Sequence, residues 1–133
     1  MHYELSISAR KYVNDLLVNN FPVRYPVSWE NVAFTPPADG SIWLKYDYIE
    51  VDTVTYGLSR KCKYYVGMVQ ISVFFSPGIG IDKPRQIANQ LAESIVDGTM
   101  LDSGTIYESG VVNPVIKSKS GWFIPVHFYV RLD

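Results

Sequence analysis

One stretch, from Tyr64 to Val96, constrains the fold more than any other part of the sequence. Residues 64–75 carry hydrophobic side chains at every odd position except Gly67, while Gln70 and Ser72 lie among the even positions. This alternation predicts a strand with one fully buried face and one partly covered face. On the buried face, Gly67 indicates either a close approach by a helix or a β-bulge.

A helix is expected directly after this strand. Residues 76–80 contain a proline and two glycines, which are typical of a turn. We expect Asp82 to cap the helix, Pro84 to fit its first turn and Gly98 to end it. Apolar residues recur between them at helical spacing: Ile87, Ala88, Leu91, Ala92 and Ile95. Burial of this stripe against the strand contributes about 1.5–3 kcal/mol for each large side chain, as an upper estimate.

The N-terminal part of the chain predicts another helix, roughly Tyr3 to Asn19. One side of it is apolar, with Leu5, Ala9, Tyr12, Val13, Leu16 and Leu17 at helical spacing. The following segment, Phe21 to Ala38, contains four prolines and predicts irregular structure. Within it, residues 27–34 can form a short strand or an extended arm, which Trp29 and Phe34 are expected to pin to the body.

Several further strands are predicted. Ile42 to Asp52 alternates and continues to Gly57, so residues 42–75 are expected to form a long hairpin, with a polar loop at 58–63 and a projecting tip. Strands are also expected at Thr105–Glu108, at Val111–Lys117 with an interruption at Pro114, and over residues 122–132. Pro125 in the last strand predicts an edge position or a bulge, because proline cannot donate to a ladder.

The order of elements predicts an α+β fold in a single domain over residues 1–133. We expect a mostly antiparallel sheet, with the long hairpin projecting from it and both helices packed on one face.

Composition argues against some classes of function and favours others. The 133 residues carry a net charge of −1, from 12 basic and 13 acidic side chains, which argues against binding nucleic acid by phosphate neutralisation. The single cysteine excludes an internal disulfide and indicates a reducing compartment or a disulfide-free particle. Aromatic residues make up 14% of the chain, which hints at assembly surfaces as well as core packing.

No catalytic, cofactor or metal constellation is visible in the sequence. His2 and His127 are far apart, and Cys62 has no second cysteine, so the spacing of a zinc site is missing. Cys62 lies in a basic run that would lower a thiol pKa, but an incidental loop cysteine is the favoured interpretation. Residues 78–80 lack the remaining glycine and lysine of a phosphate-binding loop.

The ordered set of features resembles the phage tail terminator family of long non-contractile tails. The resemblance rests on the N-terminal helix, the segment 27–37, the strand that starts at residues 42–44, the segment 67–73 with the turn at 78–80, and the closing Trp122-Phe123-Ile124-Pro125-Val126. The resemblance implies an α+β fold and a six-fold ring that caps the tail tube, stops its polymerisation and forms the joint to the head.

The same resemblance implies the partners: other copies of the chain, the tail tube protein and the head–tail connector protein. It implies a location at the head-proximal end of the virion tail, with assembly in the host cytoplasm. It implies no cofactor, no membrane and no sequence-specific nucleic acid binding, although DNA can pass through such a ring. The alternatives are another head–tail joining, neck or minor tail protein, or a small-ligand-binding or enzymatic α+β domain.

The tip of the predicted hairpin is the candidate interface. Arg60, Lys61 and Lys63 form the densest basic cluster of the chain, and Tyr56 precedes them. Such a tip can reach a neighbouring subunit or the tail tube. It can equally be a solvated loop whose lysines prevent edge-to-edge aggregation.

Overall fold

The computed structural model describes residues 2–56, 62–118 and 121–133, with the backbone alone for residues 52–56, 62 and 63. Its described residues form two helices and six strands: α1 His2–Asn20, β1 Val27–Ser28, β2 Trp43–Tyr56, β3 Cys62–Phe75, α2 Asp82–Ser94, β4 Thr105–Val112, β5 Ile116–Ser118 and β6 Gly121–Leu132. These elements confirm the predicted α+β class.

The strands form one sheet in the order β1-β2-β3-β6-β4, and β5 pairs with β6 beside β4. Every pairing is antiparallel except that of β1 with β2, which is parallel. The sequence prediction of a mostly antiparallel sheet is therefore confirmed. The order places β2, with the short β1, at one edge and β4 with β5 at the other.

Both helices pack on one face of the sheet, where they contact β3 and β6. The helices supply Leu5, Ala9, Val13, Leu16, Ile87, Ala88 and Leu91 to the core, and the strands supply Val69, Ile71, Val73, Ile124, Val126, Phe128 and Val130. The helical spacing and the strand alternation of the sequence place these residues on single apolar faces of their elements. We refer to the opposite side of the sheet as the helix-free face.

The two ends of α2 differ from the prediction. The N-cap residue is Ile81, without a side-chain cap, so the expected cap by Asp82 is wrong. Asp82 lies instead in the first turn, where its carboxylate interacts favourably with the helix dipole. The helix ends at Ser94 and not at Gly98, because Ile95 adopts an extended conformation that keeps its side chain in the core. Gly98 lies beyond the helix, with a φ of 82°, and its N–H donates to the Ile106 carbonyl at 2.7 Å.

Gly67 accommodates a side chain, not a helix. A Cβ built there would lie 2.3 Å from the hydroxyl of Tyr48, so the Tyr48 ring occupies the space that glycine leaves. The β-bulge lies in the opposite strand, between Glu50 and Asp52, where the register with β3 shifts. The interpretation of Gly67 as a site of helix approach is wrong, and the bulge is adjacent to it on β2.

Pro125 does not lie at a sheet edge. It pairs with Ser72 of β3, and β6 is flanked by β4 and β5 on its other side. Its carbonyl accepts a hydrogen bond from Asn113 N–H at 2.9 Å, so its ring nitrogen points to the same side. There the ladder is interrupted, because residues 113–115 separate β4 from β5. The two strands predicted at 105–108 and 111–117 are thus one bulged strand and a short second one.

Candidate assembly surfaces

A row of aromatic rings crosses one end of the helix-free face. The register places Trp43, Phe74 and Phe123 directly opposite one another on β2, β3 and β6. The ring centroids of Trp43 and Phe74 are 4.2 Å apart, and those of Phe74 and Phe123 are 4.7 Å apart, both in stacked geometry. Phe34 packs on Trp43 at 5.0 Å, so it pins the arm as predicted. We call these four rings the aromatic row; it can serve as packing and as contact surface.

The second predicted anchor of the arm, Trp29, packs on the other face. Its ring lies 5.2 Å from that of Tyr46, which is 1% exposed. Within the described residues, the Tyr46 hydroxyl has no hydrogen-bond partner. Burial raises the pKa of Tyr46, and the nearby Glu30 raises it further. This hydroxyl is therefore a neutral group held inside the core, not an acid poised at a site.

The middle of the helix-free face is polar, and its groups bind one another. Gln70 donates to the hydroxyl of the buried Ser72 at 3.2 Å. The side-chain amide nitrogen of Asn113 lies 2.6 Å from His127 Nδ1, within hydrogen-bond distance. The contact fixes the chain where β4 ends. His127 thus has a structural partner that the sequence did not reveal, because the two residues meet only through the register of β4 and β6.

The other histidine lies at the far side of the sheet. His2 Nδ1 is 3.1 Å from the Tyr48 hydroxyl, and its ring contacts that of Tyr65 edge-on at 5.2 Å. Burial raises the pKa of Tyr48 to about 12. His2 is therefore packed at the base of the hairpin, and the structure does not bring it near His127. Among the described residues, no group of three His, Cys, Asp or Glu side chains could hold a metal ion.

A cleft of about 530 Å³ lies between the end of α1 and the arm, and its described lining is mainly apolar. The polar lining residues are Asn14 and Arg24, with Tyr25 beside them, and the described lining contains no carboxylate, histidine or cysteine. An acid–base site needs titratable groups that converge on a pocket. In the described lining the titratable side chains are Arg24 and Tyr25, without a carboxylate, histidine or cysteine beside them, so the cleft gives no support to the enzymatic alternative.

The hairpin that carries the candidate interface is longer than the rest of the sheet. β3 pairs with β6 as far as Tyr65, whereas its pairing with β2 continues to Tyr56 opposite Cys62. The backbone of the hairpin thus extends beyond β6, as the sequence predicts. Lys63 belongs to β3 and pairs with Thr55, so the polar loop is shorter than residues 58–63. Arg60 and Lys61 lie outside the described residues.

Comparison with known proteins supports the fold. One solved structure, of a protein that carries no functional name, matches with a TM-score of 0.78 and 19% sequence identity. The likeness covers 100% of this chain and 96% of that chain. At this level of identity, it shows the fold alone. No curated protein matches the sequence. In the part of the chain that the structure describes, neither helix has the length and apolar character needed to cross a membrane.

Family membership comes from the sequence itself. The model of a family described as Phage tail terminator protein matches residues 7–129. That range runs from the first turns of α1 to the last part of β6 and includes the whole hairpin and α2. The chain therefore belongs to the phage tail terminator family and has a structural role in the phage tail.

Proposed function

We propose that the chain is the subunit of a tail terminator ring. Copies form a six-fold ring at the head-proximal end of the tail tube, stop its polymerisation and provide the joint to the head. The match to the family over residues 7–129 carries this proposal. The partners are further copies of the chain, the tail tube protein and the head–tail connector protein, with assembly in the host cytoplasm. The role requires no catalysis and no cofactor.

The charge of the chain supports passage of DNA through such a ring without binding. A net charge of −1 gives no general attraction for phosphates. Among the described residues, the buried polar side chains are those of Ser8 and Ser72, so the described charged side chains are at least partly exposed.

Tube assembly in the presence of the purified protein tests this function. Tail tube protein that polymerises alone should stop elongating when the chain is added, and electron microscopy should show a ring at one end of each tube. A neck or minor tail protein, the second candidate function, would bind the connector but leave tube length unchanged. Unlimited tube growth without end-bound rings would contradict the terminator role.

The hairpin tip is proposed as one contact of the ring. The described strands that lead to it extend beyond β6, and Arg60, Lys61 and Lys63 carry three positive charges that can pair with carboxylates on a neighbour or on the tube. Contacts of this kind mainly set the association rate and its salt dependence. Joint replacement of Arg60, Lys61 and Lys63 with Ser should weaken ring formation or tube capping at low salt. The thermal transition of the variant should stay close to that of wild type.

A matched variant separates this effect from a loss of net charge. Arg10, Arg24 and Lys83 are exposed and lie away from the tip, so their joint replacement with Ser removes the same charge. We expect the control to assemble like wild type. If the tip variant also assembles and caps tubes like wild type across a salt series, the charged tip is not a contact; Tyr56 at its base needs its own substitution, Tyr56→Ser.

A further inference from the structure

One edge of the sheet is bare over most of its length. β2 pairs with β3 along one side, but on its other side it meets only Val27 and Ser28 of β1, at Leu44 and Lys45. From Tyr46 onward, no strand of the described part of the chain pairs with this side. Unpaired backbone N–H and C=O groups along an edge are a template for association with another chain. We call β2 from Tyr46 to Val51 the open edge.

The opposite edge is built differently. The first part of β4 is covered, because Gly98 N–H donates to the Ile106 carbonyl at 2.7 Å and Ile106 N–H donates to the Thr99 carbonyl at 3.0 Å. Two register shifts interrupt the rest of β4. β5 follows, and all three of its residues are exposed. We call β4 and β5 together the irregular edge.

Exposed aliphatic side chains occur at both edges. On the open edge, Ile49 is 44% exposed and Val51 is 51% exposed. On the irregular edge, Val111 is 48% exposed and Ile116 is 44% exposed. Between the edges, the hydrophobic residues of β3 and β6 are buried or half-buried. Within the described part of the sheet, the exposed aliphatic side chains thus lie at the two ends of the strand order.

Charges at the two edges are complementary. The open edge presents the carboxylates of Asp47 and Glu50, and the irregular edge presents Lys117, with the exposed Arg85 of α2 lining the adjoining groove. Lys45 lies just before the open edge, where β1 pairs with β2, and its Nζ is 3.9 Å from Asp47 Oδ2, while the irregular edge carries one carboxylate, that of Glu108. Two open edges brought together would oppose carboxylates, whereas an open edge against an irregular edge does not.

We infer that the open edge of one copy binds the irregular edge of the next copy. This inference rests on the proposed ring function and names the surfaces that close the ring. Two different surfaces at opposite ends of one sheet form a heterologous contact, and such contacts generate a closed ring when the rotation per subunit closes. Every copy then uses both edges, and neither edge is left free.

Two single substitutions and their mixture test the inference. Ile49→Asp places a carboxylate at the open edge, and Ile116→Asp places one at the irregular edge. Ile79→Asp is the matched control, since Ile79 is 50% exposed in the turn before α2, at neither edge. All three positions are exposed, so the thermal transitions should stay close to that of wild type. Assembly is followed by analytical ultracentrifugation and negative-stain imaging, with and without tail tube protein.

The inference predicts a distinctive result for the mixture. Wild type and Ile79→Asp form rings, while each edge variant alone requires a protein concentration on the order of tenfold or more higher for half-assembly. An equimolar mixture of Ile49→Asp and Ile116→Asp retains one intact contact per pair and therefore gives dimers, but no rings.

Other outcomes overturn the inference in distinguishable ways. If both edge variants form rings like wild type, the ring uses other surfaces, and only this inference fails. If Ile49→Asp alone disrupts assembly, the irregular edge is not the partner of the open edge, and the inference is wrong. If wild type forms no ring even with tube protein, the proposed function fails and the inference falls with it.

Discussion

The two faces of the sheet differ in composition and in burial. The helix-covered face is mainly aliphatic and almost fully buried, with Val69, Val73 and Val126 at 0% exposure under α1 and α2. The helix-free face combines the aromatic row with a polar centre, and its side chains cover one another. Both faces stabilise the fold, but of the two it is the helix-free face that can present side chains to a partner.

The helix-covered face stabilises the fold of the subunit, whereas the helix-free face and the sheet edges can contact other subunits. A protein with a structural role in the phage tail contacts its partners through surfaces, and a sheet face that is covered by helices is not available for such contacts. Substitutions on the two faces should therefore differ in size and in kind. Changes on the covered face lower the free energy of unfolding, and changes at the edges alter assembly while the fold persists.

The largest effect is expected for Leu91→Ala on the covered face. Leu91 is 0% exposed and lies in the middle of the α2 stripe against the sheet. Truncation leaves a cavity, so the free energy of unfolding should fall by about 2–5 kcal/mol, measured by urea denaturation. Ring formation by the folded fraction should persist. A change within about 0.5 kcal/mol, as for exposed positions, would show that α2 presents another side to the sheet.

A smaller effect is expected for Phe74→Leu in the aromatic row. Phe74 stacks on both Trp43 and Phe123, and leucine keeps the apolar bulk but removes both ring contacts. Each aromatic pair contributes about 0.5–1.5 kcal/mol beyond its buried area, so the loss should be about 1–3 kcal/mol. A double-mutant cycle with Trp43→Leu isolates the stacking energy. Additive losses would mean that the rings pack side by side without coupling.

The covered face was predictable from the sequence, and the helix-free face was not. Helical spacing identified Leu5, Ile87 and Leu91, and alternation identified the buried side of β3, because periodicity reports burial directly. The aromatic row depends on the pairing of β2 with β3 and of β3 with β6, and a sequence pattern does not contain the register. The same holds for Asn113 beside His127.

Three predictions that rested on the preferences of single residues were wrong for a common reason. Asp82, Gly98 and Pro125 have strong intrinsic preferences, but packing decided their roles. The helix ends before Ile95, whose extended backbone places its side chain in the core. Pro125 lies inside the sheet at the interruption between β4 and β5, where no ladder hydrogen bond from its nitrogen is required. The tip residues Arg60 and Lys61 remain a prediction, since they lie outside the described residues.

The smallest effect is expected for Tyr46→Phe, and its sign is informative. Tyr46 lies on the covered face, 1% exposed, and within the described residues its hydroxyl has no hydrogen-bond partner. Removal of a buried hydroxyl without a partner costs no hydrogen bond, so the free energy of unfolding should stay the same or rise by up to about 1 kcal/mol. Tyr48→Phe is the matched control, because the Tyr48 hydroxyl lies 3.1 Å from His2 Nδ1 and its removal should cost about 0.5–1.5 kcal/mol. Urea denaturation of both variants under the same conditions gives the comparison. A clear loss in Tyr46→Phe would mean that the hydroxyl binds a group inside the core, and the covered face would then hold a polar contact of its own.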